Sequence, residues 1–153
     1  MKTVLGIDPG FGRIGFGCVQ IERGNVRTVG FGVVTSKGER FEDRLLQISR
    51  DIDTLIKDYK PDVLAIERLF FKYNATTAMR VAEARGVILL SAAKAGVRIV
   101  EIAPAAVKKA LTGDGKADKR AMQFMVKTLL CLPRPPRPDD AADALAIAIC
   151  AGV

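Results

Sequence analysis

Four acids stand at positions where an acid is either costly or conspicuous: Asp8, Glu67, Asp140 and Asp143. Asp8 closes the apolar run Val4–Ile7 and precedes Pro9-Gly10, so by itself it reads as a turn residue. Glu67 closes Val63-Leu64-Ala65-Ile66, a continuous apolar run of the kind that is buried on both faces of a sheet. Asp140 and Asp143 are three apart, which puts them on one face of a helix. Asp140, like Asp139, also suits a helix N-terminus. Asp143 is the only charge between Ala141 and Val153, beside a like charge and with no base near it in sequence. A carboxylate so placed is costly unless a cation accompanies it. The chain has no histidine, which removes Ser-His-Asp and Cys-His triads, histidine-ligated zinc and histidine general bases. What remains is a set of oxygen ligands, and these suit Mg²⁺ or Mn²⁺ rather than zinc or copper. Two such ions can activate a water and stabilise the leaving oxygen in phosphodiester hydrolysis.

A partner for that chemistry is suggested by the basic residues. Lys108, Lys109, Lys116, Lys119, Arg120, Lys127, Arg134 and Arg137 fall between Pro104 and Pro138, opposed there by Asp114 and Asp118 alone. This quarter of the chain therefore holds six of its seven net positive charges, the footprint of a polyanion partner or a solvated face. Cys18, Cys131 and Cys150 are too scattered for a disulfide framework or a zinc knuckle. A length of 153 residues fits one domain, residues 1–153. No apolar run is long enough to cross a bilayer, and Asp8 stands where a signal peptide would still be apolar. A cytoplasmic location is the expectation.

The elements that must position the acids are legible in the periodicity. Val4–Ile7, Ile14–Ile21 and Val26–Val34 read as three strands with tight connections, an antiparallel meander. Leu45, Ile48, Ile52, Leu55 and Ile56 mark an amphipathic helix over Phe41–Tyr59, which Lys60-Pro61-Asp62 ends. After the strand Val63–Ile66 comes a long helix, Asn74–Ala95, containing Gly86, a residue that often marks the close approach of another helix. Val97–Ile102 is a strand; Pro104 opens a helix to Leu111, and Asp118 caps another to Leu130. Pro133–Pro138 reads as a stiff extended connection, followed by a helix over Asp139–Ala151. The order predicts an α/β fold whose mixed five-stranded sheet is antiparallel first and parallel later, with helices flanking it. If the first and fourth strands are parallel neighbours, Asp8 and Glu67 emerge side by side at the carboxyl edge, where such sheets bind ligands. Gly10-Phe11-Gly12-Arg13-Ile14-Gly15 matches the dinucleotide fingerprint, but that fingerprint requires a helix next and a strand follows here. It is rejected.

Read as a series, the segments Leu5-Gly6-Ile7-Asp8-Pro9-Gly10, Ala65-Ile66-Glu67-Arg68-Leu69-Phe70 with Asn74, Glu83-Ala84-Arg85-Gly86-Val87, Pro104 with Val107-Lys108, Thr112-Gly113 through Ala117-Asp118-Lys119, and Asp140-Ala141-Ala142-Asp143-Ala144-Leu145-Ala146 resemble the RuvC family of Holliday-junction resolvases. The likeness runs nearly end to end. It implies a ribonuclease H-like fold and a homodimer that nicks two opposed strands of a four-way DNA junction during recombination and repair. It also implies Mg²⁺, with Mn²⁺ able to substitute and two ions per site, held by the quartet Asp8, Glu67, Asp140 and Asp143. Lys108 and Lys119 match family positions that contact phosphates and assist cleavage, and Phe70 matches an aromatic beside the junction centre. Lys109, Lys116 and Arg120 are assigned to general phosphate attraction. A branch-migration helicase complex is the implied protein partner, and no membrane is involved. Some members have histidine where this chain has Asp140; the Asp-x-x-Asp spacing to Asp143 selects Asp140 over Asp139. The Met79–Val81 stretch is less typical than the segment after it, which bears on the geometry of pairing.

Three other readings start from the same residues. Sugar kinases, actin and the large chaperone ATPases share the opening hairpin but need a second domain to close over ATP. A catalytically silent junction binder would use the basic patch without the acids. A nuclease of the same superfamily acting on structured RNA would use both.

Overall fold

The computed structural model describes residues 1–69 and 75–153. Phe70 and Asn74 lie outside the described residues. In chain order the elements are β1 (Lys2–Asp8), β2 (Arg13–Glu22), β3 (Asn25–Thr35), α1 (Phe41–Tyr59), β4 (Val63–Glu67), α2 (Ala75–Lys94), β5 (Arg98–Ile102), α3 (Pro104–Thr112), α4 (Lys119–Leu129) and α5 (Asp139–Gly152). The sheet runs β3-β2-β1-β4-β5. β1, β2 and β3 are antiparallel neighbours, whereas β4 lies parallel to β1 and β5 parallel to β4. This is the mixed sheet predicted from the sequence.

Alternation along the strands divides the core in two. Val4, Val19, Val63 and Ala65 pack on one face with α3, α4 and α5, through residues such as Val107, Met122, Leu145 and Ile149. Leu5, Ile7, Cys18, Leu64 and Ile66 pack on the other with α1 and α2, through Ile48, Ile52, Ala84 and Ile88. Carried one step further, the same period places Asp8, after Val4 and Gly6, and Glu67, after Val63 and Ala65, on the α5 side. The register makes them level, since Ile7 pairs with Ile66. A side chain helps fix that register: Asp62 Oδ2 accepts a 2.7 Å hydrogen bond from the Thr3 amide, pinning the start of β4 to β1. Just before it, Lys60 ends α1 in the left-handed conformation and donates its amide to the Ile56 carbonyl.

At three glycines of the sheet, helix α5 comes close enough that no side chain fits between them. A Cβ at Gly15 would stand 2.0 Å from the Asp140 carbonyl oxygen, one at Gly6 2.1 Å from that of Ala144, and one at Gly17 2.7 Å from the Leu145 amide nitrogen. These glycines permit backbone to rest on backbone. Of the fingerprint-like glycines only Gly15 lies in the strand: β2 begins at Arg13, and Gly15, with Gly17 beyond the motif, forms its bare face toward α5.

Two capping expectations hold. Pro104 starts α3, and the Asp118 carboxylate accepts from the Ala121 amide at 2.8 Å to cap α4. One expectation is corrected. Gly86 is not a point of close approach to another helix of this chain: it is exposed, and a Cβ there would meet nothing within 4 Å among the described residues. The partner of α2 is α1, and it packs on the opposite face, the one that carries Ala84 and Ile88.

Candidate active site

The first turns of α5 deliver the two helical acids to the sheet edge. Asp8, Asp140 and Asp143 each offer a carboxylate oxygen, and these oxygens lie within 4.8 Å of one another. Glu67 lines the same cleft, together with Lys108, Lys119, Pro104, Val107 and Met122. The cleft measures about 440 Å³. Acids and lysines share its lining with Pro104, Val107, Met122, Ala146 and Ile147.

Such crowding of acids has an electrostatic cost. Asp8 is pushed up to about 8, first by burial and then by the negative charges of Asp143, Glu67 and Asp140, with Lys119 opposing. The Asp143 carboxyl is raised too, mainly by burial; Lys119 pulls the other way, and Asp140 and Asp139 add to the rise. Asp8, Asp140 and Asp143, the first of them so reluctant to ionise, form a donor set that fits a hard divalent cation. A dication would relieve their repulsion and hold all three ionised at neutral pH. The oxygen-only chemistry of the set selects Mg²⁺ or Mn²⁺ over softer metals.

Cations surround this cluster. Lys119, at the start of α4, places Nζ 3.3 Å from Asp139 Oδ2 and 3.9 Å from Asp143 Oδ2. For Lys119, burial works to lower the pKa, but the attraction of Asp143 and the bond to Asp139 outweigh it, and the net movement is upward. Asp143 was read as having no base nearby; the fold supplies Lys119, distant in sequence but next to it across α4 and α5. Asp139 turns away from the acid triad. It accepts from Arg137 at 2.9 Å and from Gln123 at 3.1 Å besides pairing with Lys119. Its carboxyl is lowered, chiefly by the Lys119 bond. Asp139 thus holds cations in place, and Asp140 is the acid that joins Asp143 and Asp8.

The remaining basic positions spread outward. Lys108 lines the cleft from α3. Lys109 and Lys116 are exposed outside its lining, and Arg120 borders a separate shallow depression with Phe124. The position expected for a stacking aromatic, Phe70, is outside the described residues. Arg13 escaped the sequence reading: its Nε lies 3.2 Å from Asp140 Oδ2. It was hidden inside the rejected glycine motif, and nothing in its neighbours along the chain points to Asp140. The glycine floor left a faint signal, since Gly15-x-Gly17 alternates with the strand period and so clears one face.

Comparison with known proteins gives a consistent result. The family model for "Crossover junction endodeoxyribonuclease RuvC" matches residues 4–151. Crossover junction endodeoxyribonuclease RuvC of Roseiflexus sp. (strain RS-1) is 50% identical over 147 residues, covering 95% of this chain and 88% of that protein. The protein of the same name from Syntrophomonas wolfei is 45% identical over 148 residues, covering 96% and 86%. Among solved structures, Thermus thermophilus RuvC in complex with Holliday junction substrate superposes with a TM-score of 0.93 at 34% identity, covering 98% of this chain and 92% of that one. The ribonuclease H-like class expected from the sequence is the fold observed.

Proposed function

The chain belongs to the RuvC family of crossover junction endodeoxyribonucleases, and from that premise we propose that residues 1–153 form one nuclease unit that resolves four-way DNA junctions by paired nicks in recombination and repair. The observation that carries this reading is the convergence of Asp8, Asp140 and Asp143 within 4.8 Å at a sheet edge, with Glu67 in the same cleft and lysines at its mouth.

Asp8, Glu67, Asp140 and Asp143 are the residues that would hold Mg²⁺, with Mn²⁺ as a substitute and two ions in the full site. When bound, the metal supplies activation of the attacking water and stabilisation of charge on the reacting phosphodiester. The protein's own part is positional. Asp143 and Asp140 ride on a helix seated on bare strand backbone, so they hold their spacing to Asp8. Lys119, held by Asp139, presents a cation beside the acids, where it would stabilise negative charge on the cleaved phosphate. Lys108 would anchor the phosphate backbone from the facing lip of the cleft. Lys109, Lys116 and Arg120 would add sequence-independent attraction. Phe70 keeps its proposed stacking role against a base near the junction centre.

A homodimer is part of the proposal, and α2 is the surface we assign to it. Met79, Gly86 and Leu90 lie on one stripe of this helix, with the two large side chains 65% and 54% exposed and Gly86 facing open space. Glu83 shares this face, and the glycine in its middle gives room for two helices to approach closely. Gly86→Glu should shift the protein from dimer to monomer in sedimentation velocity, and an unchanged sedimentation coefficient would remove α2 from the interface. Among the described residues no helix is long and apolar enough to cross a membrane. A cytoplasmic protein delivered by a branch-migration helicase complex completes the reading.

The deciding experiment is cleavage of a synthetic four-way junction beside a linear duplex of the same sequence, in Mg²⁺ and in EDTA. Paired nicks in the junction alone, lost in EDTA and in Asp143→Asn while junction binding persists, are the expected result. Binding without nicks in any metal would leave a junction-recognition module.

A further inference from the structure

The active-site cleft does not stop at Asp140. A second cleft adjoins it, lined by Arg13, Lys119, Arg137, Pro138, Asp139 and Asp140, and Lys119 and Asp140 border both. Each of its cations is engaged by a carboxylate. Arg137 and Lys119 sit 2.9 and 3.3 Å from Asp139, and Arg13 sits 3.2 Å from Asp140. The three cations are not equivalent. Asp139 stands outside the acid triad and is the carboxylate that engages Arg137, whereas Lys119 sits between Asp139 and the triad member Asp143, 3.9 Å away. Asp140 belongs to the triad, so Arg13 shares its carboxylate with the position a divalent cation would take.

The Arg13–Asp140 pair is also built to open. Both side chains are substantially exposed, at 55% and 36%, and exposed pairs of this kind are weak. A dication on Asp140 would cancel the attraction that holds the guanidinium there and replace it with repulsion. The Arg13 backbone cannot follow, because it is fixed as the first residue of β2, paired with Thr35. Only the side chain is free to swing, and the second cleft is where it would arrive. A planar guanidinium presents two parallel donors to phosphate oxygens, which a lysine there would not.

We propose that Arg13 is a partner-switching phosphate clamp: it neutralises Asp140 while that carboxylate is unligated, and as Asp140 turns to a divalent cation it binds a phosphodiester of the cleaved strand in the adjoining cleft, beside Lys119 and Arg137. The proposal rests on the nuclease reading above and adds an ordering to it, because full grip on the strand flanking the cut comes only with the ion. Arg13 is a positioning residue in this scheme and takes no part in bond making.

Two measurements without cleavage test it. The first is junction binding by fluorescence anisotropy as a function of salt, for wild type, Arg13→Ala and Arg13→Lys, in EDTA and in Ca²⁺, a hard dication that takes oxygen ligands. In Ca²⁺, Arg13→Ala should weaken binding about tenfold and reduce the log–log salt slope by about 0.9, the weight of one phosphate contact. In EDTA its slope should equal that of wild type, and Arg13→Lys should restore the slope in Ca²⁺. The second is Ca²⁺ titration calorimetry without DNA, where Arg13→Ala should bind the ion up to about fivefold more tightly, since a competing cation has gone. A slope unchanged in Ca²⁺ overturns the proposal, and so does a slope that falls equally in EDTA, which would make Arg13 a constant contact. Wild-type cleavage of the junction, measured alongside, separates these outcomes from failure of the nuclease reading itself.

Discussion

Removing one of the acids should stabilise the metal-free fold, and the gain should grow with pH. Asp8 titrates in the folded protein at about 8, against 3.8 for an unperturbed aspartate. Between those two values the folded state keeps a proton that the unfolded chain has released. Stability is therefore fully present below the unfolded pKa and falls as pH rises through the folded one. Each unit is worth about 1.36 kcal/mol, so from pH 5 to pH 8 wild type should lose roughly 3–4 kcal/mol through this group. Asparagine keeps the shape and cannot ionise. The stability difference between Asp8→Asn and wild type should thus widen by that amount over the interval, or by roughly 6–16 °C in melting temperature for a domain of this size. Asp143 is raised as well, and because its repulsion with Asp8 is mutual, the difference reports the acid pair rather than Asp8 alone. The assay is urea or thermal unfolding in EDTA at a series of pH values, followed by the same series in Mg²⁺, where wild type should recover at pH 8 and the variant should not. Unfolding curves for the two proteins that run parallel from pH 5 to pH 8 in EDTA would refute the reasoning, because the buried carboxyl would then carry no electrostatic strain.

Other perturbations have equally definite outcomes. Lys119→Ala should lower the salt slope of junction binding by about 0.9, since it removes one cation from the mouth of the cleft; a slope equal to wild type would take Lys119 away from the phosphates. Gly15→Ala should cost about 1–3 kcal/mol in unfolding free energy through overpacking, and about a hundredfold in cleavage rate if it lifts the first turn of α5 by 1 Å. Gly12→Ala is its control, since a Cβ there meets nothing within 4 Å; equal behaviour of the two variants would disprove the contact.

The sheet and its helices were legible because alternation and helical period were strong in almost every segment, and because turn residues separated them. Val63-Leu64-Ala65-Ile66 is unbroken enough to announce a central strand, and Asp143 stands alone in an apolar helix. Both are statements about one stretch of chain. What stayed hidden depends on two stretches meeting. The pairing of Lys119 with Asp143 and of Arg13 with Asp140 follows from how α4, α5 and β2 pack, which no local period encodes. Gly86 is ambiguous for the same reason: a glycine within a helix signals room, and only the fold reveals that the room is on the outer surface and not against another helix of the chain. The glycines at 6, 15 and 17 were visible as strand residues, but their use as a seat for α5 required knowing which helix would come to rest there.

That seat also has a bearing on how the sequence can vary. Where side chains meet, a damaging substitution is commonly rescued by a second one that restores the lost volume, and lineages drift through such exchanges. Main chain against main chain offers no volume to exchange. A screen for second-site suppressors of a Gly15 substitution should therefore return few hits among the neighbours of Asp140, whereas suppressors of a cavity at Leu145 or Val19, both fully buried on the same face, should be readily found around each. Heritable freedom in this protein would then lie in the bulk of its core, and the narrow track beneath the last helix would be the part that ancestry could not renegotiate.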